Sequence, residues 1–197
     1  MSEGKLLSYV VTYLEMAAPP ARPAPPAPAG PRTGNLALMK AEKPSAGYFL
    51  YLYRAVGARW QWSDWLARPR AEAAAFAGDP QVETFVLYRE GAPAGFFMLD
   101  FRGRAGEAGA GEGAERPESC ELAYLGLVES AQGLGLGGWL LGTAQARAWE
   151  RPIRRLIVET CTLDHPGALA LYQKAGFVPT GRAEKTRRFM DPEIFGF

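Results

Sequence analysis

Histidine is almost missing from this sequence: His165 is the single one in 197 residues, and cysteine occurs only as Cys120 and Cys161. Two cysteines are too few for a disulfide scaffold. Both lie in apolar runs, 120–123 and 157–161, so small buried thiols are expected. No apolar stretch is long enough to span a bilayer. Leu6 to Met16 carries Ser8, Thr12 and Glu15, too polar for the apolar region of a signal peptide. A cytoplasmic location is the expectation that follows. A dominant charge is lacking too: 22 Lys and Arg face 21 Asp and Glu, and no basic block stands out. Neither nucleic acid nor a membrane surface is therefore expected as a partner.

Apolar material is plentiful, at 48% of residues, which suits a packed core and not a disordered chain. The length suits one domain over residues 1–197. Leu6 to Met16 reads as a strand, and Leu36 to Glu42 as the returning strand of a hairpin. Between them residues 17–34 are mostly Ala and Pro, a composition that forms neither helix nor ladder, so a long extended surface loop is expected. Tyr48 to Val56 and Arg70 to Phe76 read as helices, stopped by Gly57 and by Gly78-Asp79-Pro80. Glu83 to Arg89 and Ala94 to Phe101 form a hairpin across Glu90-Gly91-Ala92-Pro93. Residues 103–119 are Gly, Ala and Glu with little to bury, and read as a flexible loop. Then follow a strand (Glu121 to Val128), a glycine loop (129–138), a helix (Trp139 to Trp149), a strand (Leu156 to Cys161), a helix (Pro166 to Ala175) and a last strand from Phe177. This order implies a mixed α/β sheet.

The glycine loop fits two fingerprints. Gly133-Leu134-Gly135-Leu136-Gly137-Gly138 satisfies the dinucleotide pattern G-x-G-x-x-G, and Glu159 stands where an acid belongs, about 20 residues on. Against it, Glu129-Ser130-Ala131-Gln132 separates the strand from the first glycine, and too little chain follows Glu159 for further βαβ units. Gln132-Gly133-Leu134-Gly135-Leu136-Gly137 also resembles the pyrophosphate loop of the GCN5-related (GNAT) N-acetyltransferases, [Gln/Arg]-x-x-Gly-x-[Gly/Ala]. One strand downstream, Ala168-Leu169-Ala170-Leu171-Tyr172 with Gly176-Phe177 resembles that family's second signature, with His165 where the family usually has Asn. The resemblance covers roughly residues 83–188.

That resemblance implies a mixed, mostly antiparallel central sheet flanked by helices, with acetyl-CoA as cosubstrate and no metal. It implies that Leu127 and Val128 lend backbone groups to the pantetheine and that Gln132, Gly133, Leu134, Gly135, Leu136, Gly137 and Gly138 hold the pyrophosphate. His165 then caps the helix start or contacts CoA in place of the Asn. Tyr172 matches the tyrosine that protonates the leaving thiolate. Glu121, 11 residues before Gln132, matches the offset of the general base in histone-acetylating members. Its neighbours Cys120, Leu122 and Ala123 are apolar, surroundings that favour proton uptake by a carboxylate. Glu159 is the second-choice base.

Trp60, Trp62, Trp65, Tyr48, Tyr51 and Tyr53 read first as core aromatics. Where they line a pocket, they favour an apolar, aromatic or cationic amine. The function expected is transfer of an acetyl group from acetyl-CoA to a primary amine of a small molecule or peptide. A non-catalytic acyl-CoA-binding module and a dinucleotide-binding oxidoreductase are the alternatives, and a homodimer stays open.

Overall fold

The computed structural model describes residues 5–103 and 119–191, so the expected flexible loop falls almost wholly outside the described residues. The chain opens with strand β1 (Leu6–Met16) and, after the Pro/Ala segment, β2 (Leu36–Ala41). Helices α1 (Ala46–Gly57) and α2 (Arg70–Ala77) come next, then the hairpin β3 (Val82–Arg89) and β4 (Ala92–Asp100). The second half runs β5 (Ser119–Leu127), α3 (Leu136–Ala148), β6 (Arg155–Cys161), α4 (Ala168–Lys174) and β7 (Val178–Arg188).

The seven strands among the described residues join one sheet in the order β2-β3-β4-β5-β6-β1-β7. Every neighbouring pair is antiparallel except β5 and β6. The sheet is thus mixed and mostly antiparallel, as expected. The hairpin expected of β1 and β2 does not form. β2 pairs with β3 at one edge, while β1 lies between β6 and β7 near the other. Both readings satisfy the same alternating pattern, and strand order is decided by which partners bury the two faces.

The Pro/Ala segment must therefore cross the sheet. Five strand spacings of about 4.8 Å amount to roughly 24 Å. The nineteen residues 17–35 reach about 59 Å when extended at ~3.1 Å each, so the span is covered with slack. The crossing runs over α3, where a Cβ added to Gly142 would come within 3.2 Å of Pro25 Cδ.

Alternation along the central strands feeds a core on each face. Phe97 and Leu99 of β4 pack with Leu14, Leu122, Leu136, Leu140 and Val158 on the side of α3 and α4. Phe96 and Met98 pack with Phe49, Leu52, Tyr53 and Phe76 on the side of α1 and α2. In α1 the buried positions Ala46, Phe49, Leu52, Tyr53 and Val56 recur at three- and four-residue steps, giving one apolar stripe toward the sheet. Ser45 caps the helix by accepting the N–H of Tyr48 at 3.2 Å.

Two irregularities position the site. β5 and β6 pair in parallel only at Ser119–Glu121 against Arg155–Ile157. Their pairing ends there although both strands continue, so the sheet opens between them. On its other side β5 is bulged: Met98 faces Tyr124 and Leu99 faces Leu122, leaving Ala123 as the extra residue. The bulge resets the alternation, so that Leu122 and Leu125 pack on the α3 side while Tyr124 joins the α1 and α2 side.

Candidate active site

A cleft of about 560 Å³ occupies the opening between β5 and β6 and passes from one face of the sheet to the other. At the α3 end it is lined by Gln132, Gly133, Gly135, Leu136, Gly137 and Gly138. The loop leaves β5 through a tight helical turn at Glu129–Ala131, and the Gln132 side chain ties it back, donating from Nε2 to the Leu127 carbonyl at 3.2 Å. Gly133 and Gly135 have φ of 72° and 78°, the left-handed region that glycine enters without strain. Gly135 sets the start of α3. A Cβ built at Gly133, Gly135 or Gly138 meets nothing within 4 Å, so the backbone borders open space. Amides at a helix start facing open space suit an anion.

Three expected loop contacts differ in detail. Leu127 lines the cleft, but its carbonyl is taken by Gln132, and Val128 lies outside the lining with its N–H bonded to the Ala94 carbonyl at 3.0 Å. Leu134 packs against the apolar core instead of bordering the cleft.

Tyr172 is buried on α4, lines the cleft and meets Phe177 edge-on at 5.8 Å. Burial, and then the charge of Asp164, pushes its pKa well above the ordinary phenol value, so it keeps its proton at neutral pH. His165 also borders the cleft. Its Nδ1 accepts the Gly167 N–H at 3.0 Å in the turn before α4, and its ring meets Trp60 at 5.3 Å; Gly167 is the helix's N-cap and no side chain caps α4.

At the other end the lining comes from segments far apart in sequence: Tyr9 and Val11 of β1, Tyr53 and Val56 of α1, Trp60, Trp62, Asp64, Tyr124, and Lys185 and Arg187 of β7. Of the aromatics expected mainly as core, Tyr53, Trp60 and Trp62 line the cleft. Trp65 is buried beneath them, donating from Nε1 to Tyr124 Oη at 2.6 Å, and Tyr51 is exposed. Three carboxylates border this end. Asp64 pairs with Arg187. Asp164 accepts from Trp62 Nε1 at 3.1 Å, Thr160 Oγ1 at 2.9 Å and the Cys161 N–H at 2.8 Å. Glu159 stands on β6. Cys161, expected to be buried, is half-buried and borders the same space, with burial raising its thiol pKa.

Glu121 is not brought into this cleft. It faces Asp100 across the ladder and lines a second cavity with Trp65, Arg68, Phe76 and Arg102, sharing only Ala123 and Tyr124 with the first. The offset from Gln132 could not reveal this, because the bulge at Ala123 lies between the two residues. Tyr9, Asp64, Tyr124, Lys185 and Arg187 carried no local signal, since remote strands and turns bring them to the cleft.

A mixed, mostly antiparallel sheet that opens at its parallel β5–β6 pair, with a glycine loop and helix start at the mouth, defines the class of α/β protein to which the chain belongs. The profile of the Acetyltransferase (GNAT) family matches residues 49–177, and the chain belongs to that family. A comparison with curated proteins found no match. Among solved structures, the chain is similar to a GCN5-related N-acetyltransferase from Sphaerobacter thermophilus (TM-score 0.58, 16% identity, 94% of this chain and 53% of that one). It is also similar to the aminoglycoside acetyltransferase meta-AAC0020 from an uncultured soil metagenomic sample (TM-score 0.53, 15% identity, 72% and 87% covered). The aminoglycoside N-acetyltransferase AAC(6')-Iy, solved in complex with CoA, gives a TM-score of 0.51 at 15% identity, with 82% and 96% covered. At these identities the likeness is one of fold. The chain spans 53% of the Sphaerobacter protein and 64% of a Staphylococcus epidermidis protein of unknown function. Among the described residues, no helix is long and apolar enough to cross a membrane.

Proposed function

We propose that this chain transfers an acetyl group from acetyl-CoA to a primary amine of a small molecule or peptide. The observation that carries the reading is the cleft through the sheet, with the glycine loop at one mouth and aromatic rings and carboxylates at the other. Acetyl-CoA fits this shape: its phosphates suit the amides of 133–138, and its extended arm suits the gap in which β5 and β6 do not pair. The two aminoglycoside acetyltransferases on the same fold support a small amine as acceptor, and so does an aromatic pocket edged with carboxylates.

Direct attack by an alkyl amine first requires the free base. With a pKa of about 10.4, such an amine costs about 4.6 kcal/mol to deprotonate at pH 7, and a nearby carboxylate gives the proton an acceptor as the new C–N bond forms. Glu159 borders the cleft and Glu121 does not, so Glu159 is the base in this reading. Tyr172, which borders the cleft and carries its phenol proton at neutral pH, supplies the proton to the departing thiolate.

The test is transfer from acetyl-CoA to a panel of polyamines, aminoglycosides and short peptides, read by thiol release and product mass. Acetylated product from at least one class is expected, with the rate cut in Glu159→Gln and CoA binding kept. Tight CoA binding with no product from any amine would make the protein a binding module. A rate lost in Glu121→Gln and intact in Glu159→Gln would reverse the assignment of the base.

A further inference from the structure

We propose that Arg32, carried by the Pro/Ala segment, binds a phosphate group of CoA and so completes the anion site from outside the stretch that matches the family. This rests on the reading of the cleft as an acetyl-CoA site. The starting point is a charge deficit. Residues 129–138 hold no Lys or Arg, and their one charged residue, Glu129, is an acid paired with Arg59. CoA brings a pyrophosphate and a ribose phosphate, together about four negative charges at neutral pH. Backbone amides and a helix start supply only partial charges against them.

The Pro/Ala segment brings a cation to this loop. Arg32 Nη2 donates to the Gly133 carbonyl at 3.3 Å, across 101 residues of sequence. Its backbone is fixed for the purpose. A turn closes behind it, with the Thr33 N–H and Oγ1 and the Gly34 N–H all bonded to the Gly30 carbonyl. Arg89 of β3 then holds the Thr33 carbonyl through Nε at 2.9 Å and the Arg32 carbonyl through Nη2 at 3.2 Å. Asn35 and Glu90 lock the next residue, with the Asn35 N–H bonded to Glu90 Oε1 at 2.6 Å. The Arg32 side chain is exposed and stands outside the lining of the cleft, beside the loop at the Gly133 carbonyl. A guanidinium carries five N–H donors in a planar fork, so one can stay on the carbonyl while another takes a phosphate oxygen. Proline suits the approach, because a segment already extended loses little freedom when it is held in one path.

The experiment is calorimetric titration of the full chain with CoA and with dephospho-CoA, at low and high salt, for wild type, Arg32→Ala and Arg32→Gln. Glutamine keeps a polar side chain with N–H donors, shorter than arginine, and removes the charge, so the salt dependence reads the charge itself. Both variants are expected to bind CoA about 10- to 100-fold more weakly, the factor carried by a charge-assisted hydrogen bond. Both should also lose part of the salt dependence seen in wild type. An equal loss with dephospho-CoA assigns the contact to the pyrophosphate, and a loss that disappears with it assigns the ribose 3′-phosphate. Wild-type affinity in Arg32→Gln, or weakening with unchanged salt dependence, would reduce Arg32 to a structural tie and overturn the proposal. Should Arg32→Ala not fold, the glutamine variant alone decides. Wild type that binds no CoA overturns the acetyl-CoA reading itself, an outcome distinct from the failure of Arg32.

Discussion

Tyr172 and His165 stand seven residues apart on the approach to α4 and line the same cleft, yet their surroundings give them different work. Tyr172 carries its phenol proton at neutral pH, and burial only tightens its hold on it. Tyr172→Phe should lower turnover by about 10²- to 10⁴-fold, the usual worth of a positioned acid, and leave CoA affinity unchanged. Thiol release and a CoA titration check both halves, and an unchanged rate would remove Tyr172 from the chemistry. His165 spends Nδ1 on the Gly167 amide. His165→Asn, which keeps a short acceptor at the same point, should retain turnover close to wild type. A collapse of the rate with the fold intact would make the imidazole a participant. The position of both residues at the cleft was legible through the family's second signature, which lies within one loop and one helix. Glu121 borders a neighbouring cavity, and a spacing in sequence does not tell which of two adjoining cavities a strand residue borders.

The turn after α1 shows how an element can be specified by one missing side chain. A Cβ on Gly57 would lie 2.3 Å from the Trp62 indole, which in turn donates to Asp164 and borders the cleft. Gly57→Ala should therefore cost about 1–3 kcal/mol by overpacking and also weaken the acceptor end of the cleft. Denaturant unfolding and the Michaelis constant for the amine measure the two effects, and a stable variant with unchanged kinetics would contradict this account. At the start of α3 the case is reversed: Gly135 has open space around it but a φ of 78°. An alanine there meets no neighbour and is still strained, by about 1–2 kcal/mol. Sequence patterning found α1, the β3–β4 hairpin and α3 because periodicity and turn residues are local. It mispaired β2 because strand order is not local.

Across the whole molecule the buried phenols set an alkaline limit. Tyr53, Tyr124 and Tyr172 all border the cleft, packed among core aromatics. Desolvation is the first cause that raises the pKa of each, followed by charges such as Asp64 and Asp164. The folded chain therefore holds these protons more tightly than the unfolded one. This stability is fully present below about pH 10 and is lost as pH rises toward the raised folded values. Thermal midpoints followed by circular dichroism should fall on going from about pH 8 to about pH 11, and less steeply in Tyr53→Phe. A flat profile would argue that these hydroxyls reach water.

The position of β1 also sets an order of assembly during synthesis. Its partners are β6 and β7, and the Val10 N–H is bonded by Thr162 Oγ1, 152 residues further along the chain. A ribosome adding about 5–20 residues per second makes β1 and then needs roughly 8–30 s to deliver the strands that flank it. Among the strands of this sheet, β1 is therefore made early and paired late. Throughout that wait the nascent chain carries Val11, Leu14 and Met16 in search of a cover, an interval in which a chaperone can bind.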